Sequence, residues 1–319
     1  MLHILCYGSV VYGFKMKNTY ISLDSFLKNK YGEKIYKLAL DGGMTCPNRD
    51  GRCGSGGCIF CSSGGSGEFA ATDVDEAIAR LKAHGKKTGS KYIAYFQSYT
   101  NTYAPVDYLR SLFMPVILRE DIVGLAIGTR PDCLPEDVLD LLDELNGIKP
   151  IWIELGLQTI HPESAAFIRR GYDLDVFDRA VAALRSRNID VVVHLILGLP
   201  GETNEDILET IRYINRFGIQ GVKLQQLYIL KGTDLAEMYM KQQALANQDA
   251  QAERPLPLIH IYTLDEYIDV LKLCINELRE DIVVHRLTGD GPKNILIAPE
   301  WSKNKKLVLN TLAKTFSKI

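Results

Sequence analysis

The chain has 319 residues, 46% of them hydrophobic and 24% charged, with a formal net charge of −2. That is the profile of an ordinary soluble globular chain with material for a large core, and it excludes a globally basic nucleic-acid binder. No apolar run reaches the roughly 18 residues of a membrane span, and one tight cluster of four cysteines with Cys6, Cys133 and Cys274 scattered is not a secreted disulfide scaffold.

The N-terminal stretch MLHILCYGSVVYGFK is apolar but has neither a basic n-region nor an A-x-A-like cleavage site, so it does not read as a signal peptide. Residues 1–17 are expected to be an N-terminal extension. From there an apolar run alternates with amphipathic helical stretches. The runs are KIYKLAL (34–40), YIAYFQ (92–97), VGLAIGT (123–129), IWIELGLQ (151–158), DVVVHLILG (190–198), GVKLQQLYI (221–229) and DIVVHRL (281–287). They are rich in Val, Ile and Leu with little alternation, as strands buried on both faces of a parallel sheet should be. Helices between them have readable ends. TDVDEAIARLKAHG offers Asp73 and Glu76 at capping-box spacing, LPEDVLDLLDELNG places Pro135 in its first turn and Gly147 after its last, and ETNEDILETIRYINRFG runs from Thr203 to Gly218. Six or seven βα units predict an α/β fold, a partial or full (β/α) barrel of parallel strands over 18–300. No GxGxxG follows the first strand, which weighs against a dinucleotide-binding sheet. QQALANQDAQAERPLPL (242–258) reads as a flexible insertion, and 301–319 as a basic C-terminal segment.

Directly after the first strand comes MTCPNRDGRCGSGGCIFC, within a loop at 43–64. Loops at the C-terminal ends of barrel strands build active sites, so these cysteines sit where chemistry is done. Their spacing, Cys46-x6-Cys53-x4-Cys58-x2-Cys61, leaves two readings. A structural zinc would take all four thiolates in a closed tetrahedron. An iron–sulfur cluster could take three and leave one iron open. The lack of a second CxxC knuckle, and the position at the barrel mouth, favour the cluster.

The stretch DGGMTCPNRDGRCGSGGCIFC, followed in order by TRPDCL, ELGLQT, HLILGLPGET and RLTGDGPK, resembles the radical S-adenosylmethionine (SAM) superfamily. Within it, the match is to the Elp3-like branch and its small stand-alone bacterial members without an acetyltransferase domain. The resemblance implies a radical SAM type of barrel and a C-x11-C-x2-C pattern, in which Cys46, Cys58 and Cys61 hold a [4Fe–4S] cluster. Cys53 lies outside that pattern. Phe60 fits the aromatic that shields the cluster. SAM would bind the open iron, and an electron would cleave its sulfonium to methionine and a 5′-deoxyadenosyl radical. An electron donor such as flavodoxin or ferredoxin is implied, and the expected location is cytoplasmic.

The same resemblance distributes SAM contacts over the strand ends: Gln97 and Ser98 after the second, Glu154 and Gln158 on the fourth with Arg170 beyond it, and His194, Ile196 and Gly198 on the fifth. Gln158 and Arg170 are expected to lie strands away from the cysteine loop. Glu154, a charge in an apolar strand, must be paired or face a wet cavity. A lone His in an apolar strand, as His194 is, reads more often as a hydrogen-bonded core residue. Arg130, Gln225, Tyr228 and Lys231 are candidates for the substrate side, Arg130 reading either as an oxyanion binder or as a partner of Asp132. No catalytic acid, base or nucleophile is legible.

Two lysine runs, KAHGKKTGSK (82–91) and WSKNKKLVLNTLAKTFSKI (301–319), with Trp301 and Phe316, suit a phosphate backbone or else a solvated helix end and tail. The Elp3-like resemblance implies tRNA, and remodelling of a wobble-uridine side chain. The alternatives are a radical SAM enzyme for a small molecule, or a zinc- or cluster-bearing barrel that serves as a binding module.

Overall fold

Parallel strands in strict sequence order make the central sheet of the computed structural model, which describes residues 19–65, 67–83, 85, 89–248 and 257–318. The strands are β1 (Tyr36–Leu40), β2 (Tyr92–Phe96), β3 (Ile122–Thr129), β4 (Ile151–Gln158), β5 (Asp190–Leu197), β6 (Gly221–Gln226) and β7 (Val283–Arg286). Each coincides with one of the seven apolar runs. Sequential parallel neighbours need crossover helices on the outer face, and the sheet curls as a consequence of strand twist. β1 and β7 pair on one side only within this sheet, so it is a half-barrel with a lateral gap between its first and last strands. Part of that gap is closed by Ser22, which bridges to Val284, and by the helix Leu23–Tyr31 that packs on β7.

Two classes of burial hold the sheet. Outer-face side chains such as Leu38, Phe96, Leu125, Ile153, Val193 and Leu224 are enclosed by the crossover helices. The inner face carries a smaller apolar set, Ile93, Ala126, Trp152 and Val192, and above it polar groups. Helix starts follow their caps: Asp73 accepts from the Glu76 amide at 2.8 Å, and Thr203 and Asp206 form a full capping box. The helix Glu136–Ile148 departs from expectation, since Pro135 is its N-cap and the helix continues through Gly147.

The C-terminal segment is not a solvated tail. Its helix Lys305–Thr315 buries Val308 and Leu312 in the main core, Phe316 packs edge-on against Tyr20, and Trp301 donates to the Tyr262 carbonyl at 2.8 Å. Both aromatics expected to meet RNA are therefore committed to packing. Residues 1–17, most of the 242–258 insertion's centre, and His84 with residues 86–88 of the first lysine run lie outside the described residues. Lys91 of that run pairs with Glu33 at 3.7 Å, at the N-terminal edge of β2. No helix among the described residues is long and apolar enough to cross a membrane.

Candidate active site

The loop after β1 folds back over the C-terminal ends of the strands through polar braces. Arg49 donates to the carbonyls of Cys61 (2.9 Å) and Ser62 (2.6 Å), and its guanidinium lies 5.5 Å from the Tyr99 ring. Asn48, 3% exposed, donates to the carbonyls of Arg169 (2.7 Å) and Arg170 (3.2 Å) and lies 3.5 Å from Cys58 Sγ. Gly171 follows at φ +79°, where a Cβ would strike Asn48. The Arg169–Gly171 turn is thus a direct neighbour of the cysteine loop, not a feature strands away, because the curled sheet brings the β4 end round to it.

Cys46, Cys58 and Cys61 line one cavity of about 240 Å³, and Cys53 does not. Cys53 is exposed outside it, 3.9 Å from Asp132. Burial and the neighbouring thiol of Cys61 push Cys58 up to about 11, and burial raises Cys61. Thiols crowded in this way ionise only with a cation present. The nature of that cation is constrained by spacing. Tetrahedral zinc, with Zn–S of about 2.3 Å, would put sulfurs about 3.8 Å apart. Among the described residues the single triad of potential ligands within 4.8 Å of one another is His161, Asp206 and Glu209, so the cysteine sulfurs do not stand in the closed array that a tetrahedral ion would need. Three thiolates lining one cavity are the donor set that an iron–sulfur cluster takes.

The cavity is also lined by Gln97, Arg130, Gln158, Arg170, His194 and Ile196. Gln158 ends β4 at φ +64°, its amide nitrogen, oriented by its neighbours, donating to Leu157 O (2.9 Å) and Gly156 O (3.2 Å). Arg170 is buried and spends its donors on the carbonyls of Leu157, Thr159 and Tyr172 at 2.7–3.1 Å. Arg130 makes a two-pronged pair with Asp132 at 2.9 and 2.8 Å and donates to the Arg170 carbonyl at 2.8 Å. Between the two guanidiniums lies the Tyr172 ring, 5.1 Å from Arg130 and 4.5 Å from Arg170. Ser98 is buried and its hydroxyl has no partner among the described residues, while Gly198 at φ +83° makes a turn against Tyr262; neither lines the cavity.

A second cavity of about 940 Å³ opens at the lateral gap, sharing Phe60, Cys61, Tyr95, Gln97, Ile196, Lys223, Gln225 and Arg286 with the first. Tyr228 lines it, with its hydroxyl accepting from Gln226 at 3.0 Å. Lys231, expected on the substrate side, lies exposed outside both cavities; the chain turns outward at Ile229–Leu230 to pair with Leu296–Ala298.

Where the cavities meet stands a charge cluster that sequence reasoning found only in part. Glu154, with its side chain fully enclosed, receives Lys37 (2.6 Å) and Trp152 Nε1 (3.2 Å) on one oxygen, and Lys223 and His194 Nε2 (3.0 Å) on the other. Burial alone raises a carboxyl pKa, but Lys223, Lys37 and His194 outweigh it and hold Glu154 well below the usual range. Lys37 and Lys223 carry the same signal as Glu154, a charge inside an apolar strand run, and that signal could have found them. Burial, with Lys223 adding to it, pushes His194 down to about 4. Since an unfolded histidine titrates near 6.5, only the unfolded chain takes this proton between about pH 6.5 and 4, so stability falls as pH falls through that window. His194→Gln is expected to shrink the drop in Tm between pH 7 and pH 5; an unchanged drop would mean that His194 is already protonated in the fold.

The profile of the Radical SAM superfamily matches residues 49–214, and that of the Radical_SAM C-terminal domain matches residues 219–318. YtqA of Bacillus subtilis is 40% identical over 94% of this chain and 91% of its own, and YhcC of Escherichia coli is 37% identical over 88% and 86%. A tRNA uridine(34) acetyltransferase of Methanocaldococcus jannaschii is 30% identical over 37% of this chain and 22% of its own. The solved Elp3 of Methanocaldococcus infernus, with its N-terminus deleted, has a TM-score of 0.60 at 18% identity, covering 88% of this chain and 63% of that one, a likeness of fold. Two profiles laid end to end along the sheet, and relatives matched over nearly their whole length, describe a shared protein rather than a shared fragment: the chain belongs to the radical SAM superfamily, enzymes that use a [4Fe–4S] cluster and SAM.

Proposed function

We propose that this enzyme holds its cluster on Cys46, Cys58 and Cys61, binds SAM in the smaller cavity, and modifies a wobble-uridine side chain of tRNA admitted through the larger one. The observation that carries this reading is the convergence of those three cysteines on one cavity wall with Cys53 left outside. When bound, the cluster supplies the electron for reductive cleavage of SAM, with an external donor such as flavodoxin or ferredoxin to replenish it. The chain's own residues do the rest. Asn48 and Arg49 hold the loop, Phe60 keeps water from it, and Gln97, Gln158, His194 and Ile196 offer contacts for SAM. Arg170 acts through the β4 turn that it pins, and Gly198 through the turn after β5. Glu154 has four donors on two oxygens and no capacity left, so it organises the floor instead of touching SAM. Gln225 and Tyr228 face the substrate.

The tRNA part rests on the relative named as a tRNA uridine(34) acetyltransferase and on the rim of the larger cavity. There Phe69, 57% exposed, lines the same cavity as Lys293 and Lys305. An exposed aromatic flanked by cations is a platform for an extruded base. The deciding experiment compares tRNA nucleosides from cells with and without the gene, and then restores the lost nucleoside with reconstituted enzyme, SAM and reductant. No altered tRNA nucleoside, with SAM cleavage stimulated by a small molecule instead, would sink the tRNA reading. Binding of tRNA is expected to weaken steeply with salt, and replacement of Lys293, Lys305 and Lys306 by Gln to flatten that slope by about one for each phosphate partner removed. Phe69→Ala is expected to weaken binding with the slope unchanged, since stacking releases no counterions; a changed slope, or full affinity, removes Phe69 from the interface.

A further inference from the structure

The charges that line the larger cavity do not balance: Lys37, Lys223, Arg286, Lys293 and Lys305 stand against Glu68 and Asp290, with Glu154 in the wall of the adjoining smaller cavity. Glu154 sits between two ammonium groups, Lys37 and Lys223, and Asp290 sits between Arg286 at 3.7 Å and Lys305 at 2.8 Å. Twice, then, one carboxylate is shared by two cations, and all four cations line the cavity. The β-ladder aligns part of this set, since His194 pairs with Lys223 and Lys223 with Arg286 in register across β5, β6 and β7. Burial holds the imidazoles of His194 and His285 uncharged, so they add nothing to either side.

A fold that needed only to neutralise Glu154 would use one lysine. The second is held in place by groups that steady an ammonium without cancelling its charge. The Tyr95 ring lies 3.7 Å from Lys37 Nζ and 4.5 Å from Lys223 Nζ, its hydroxyl meets Lys223 at 3.0 Å, and Trp152 lies 5.4 Å from Lys37. Lys223 is only 7% exposed. An uncompensated cation in so dry a place is costly unless an anion joins it, and burial already lowers the proton affinity of both lysines. Lys37 and Lys223 have donors left after Glu154 is served, because each ammonium carries three. The cavity that they face is continuous with the cysteine cavity through Cys61, Gln97 and Gln225.

We propose that Lys37, Lys223 and Arg286 form a receptor for an anionic group of the substrate, a carboxylate or a phosphate, at the floor of the larger cavity. The inference rests on the reading of that cavity as the substrate's chamber. It narrows the substrate to one that brings its own negative charge to the reacting end, and it gives the half-barrel's lateral gap a polarity that favours such molecules. Neutral side chains of the same size would gain no charge-assisted hydrogen bonds there and would leave the excess cations unpaired.

The test uses the reconstituted full chain with SAM bound, titrated calorimetrically with sodium acetate and, separately, with sodium phosphate at constant ionic strength. At least one probe is expected to saturate, and the tighter of the two names the group as carboxylate or phosphate. Lys37→Met and Lys223→Met are each expected to weaken that probe about tenfold or more, the size of a lost charge-assisted hydrogen bond. Their Tm is expected to hold or to rise, because Glu154 keeps its other lysine in each. Should Lys223→Met fail to fold, Lys37→Met and Arg286→Gln give the same reading. Neither probe saturating the wild type, or both lysine variants binding as the wild type does, overturns the proposal. A loss of Tm in both lysine variants with probe binding unchanged assigns the lysines to structure and also overturns it. Neither SAM cleavage nor tRNA enters the readout, so these outcomes leave the assignment of the cluster and the tRNA test standing or falling by themselves.

Discussion

Alanine at Cys46, Cys58 or Cys61 is expected to abolish cluster binding and SAM cleavage, whereas Cys53→Ala retains both. The three share a cavity wall, and each is expected to hold one iron, so loss of any one leaves an iron without its thiolate. Cys53 faces Asp132 from outside that wall and is exposed, so its removal costs neither a ligand nor buried area. Anaerobic reconstitution with iron and sulfide, followed by iron and sulfide content, electron paramagnetic resonance and a 5′-deoxyadenosine assay, separates the four variants. Loss of the cluster in Cys53→Ala while any of the other three keeps it would reverse the ligand set. Retention of one zinc by all four variants and no cluster in the wild type would return the site to a structural metal. Asn48→Ala offers a graded companion: the loop loses its tie to the Arg169–Gly171 turn, so the cluster should form and then be lost faster on dilution.

The sheet was legible because strands buried on both faces leave a strong signal, and each of the seven runs read as a strand coincides with one. IWIELGLQ is both the run and the strand, to the residue. The cysteine loop was legible through spacing, and its position through topology. What stayed hidden depends on curvature. Sequence separation puts Arg170 far from Cys58, yet closing half a barrel carries the β4 turn to within a hydrogen bond of Asn48. Lys37 and Lys223 lie 186 positions apart and meet on one carboxylate, and nothing local to either reports the other. Trp301 and Phe316 misled for the opposite reason. Aromatics among lysines suit RNA and equally suit an amphipathic helix, and here the helix Lys305–Thr315 has core to pack against. The aromatic that does stand at the cavity rim, Phe69, sits in the cysteine loop's trailing arm with no basic run beside it in sequence.

Glu154→Ala is expected to be the most destabilising single change in the floor of the site, by about 3–5 kcal/mol, the usual cost of orphaning buried charges. It removes the acceptor for Lys37, Trp152, Lys223 and His194 at once, at a side chain that is fully enclosed. Lys223→Met makes a contrast. It removes one cation from an excess, leaves Glu154 with Lys37 and His194, and is expected to change stability by less than about 1 kcal/mol. Chemical unfolding of the three proteins at neutral pH measures both values, and a Glu154→Ala chain as stable as the wild type would show that the floor is wet and its charges are screened. The pH dependence has a definite sign. Glu154 is held below its unfolded value near 4.3, so its contribution is present above that pH and fades as pH falls toward the lower folded pKa. The gap between wild type and Glu154→Ala should therefore be constant from neutral pH to about pH 5 and close only in stronger acid. A gap that closes already near pH 6.5, where only the unfolded chain's histidine takes its proton, would place its origin in His194 and would demote Glu154 from the hub of the network to one of its spokes.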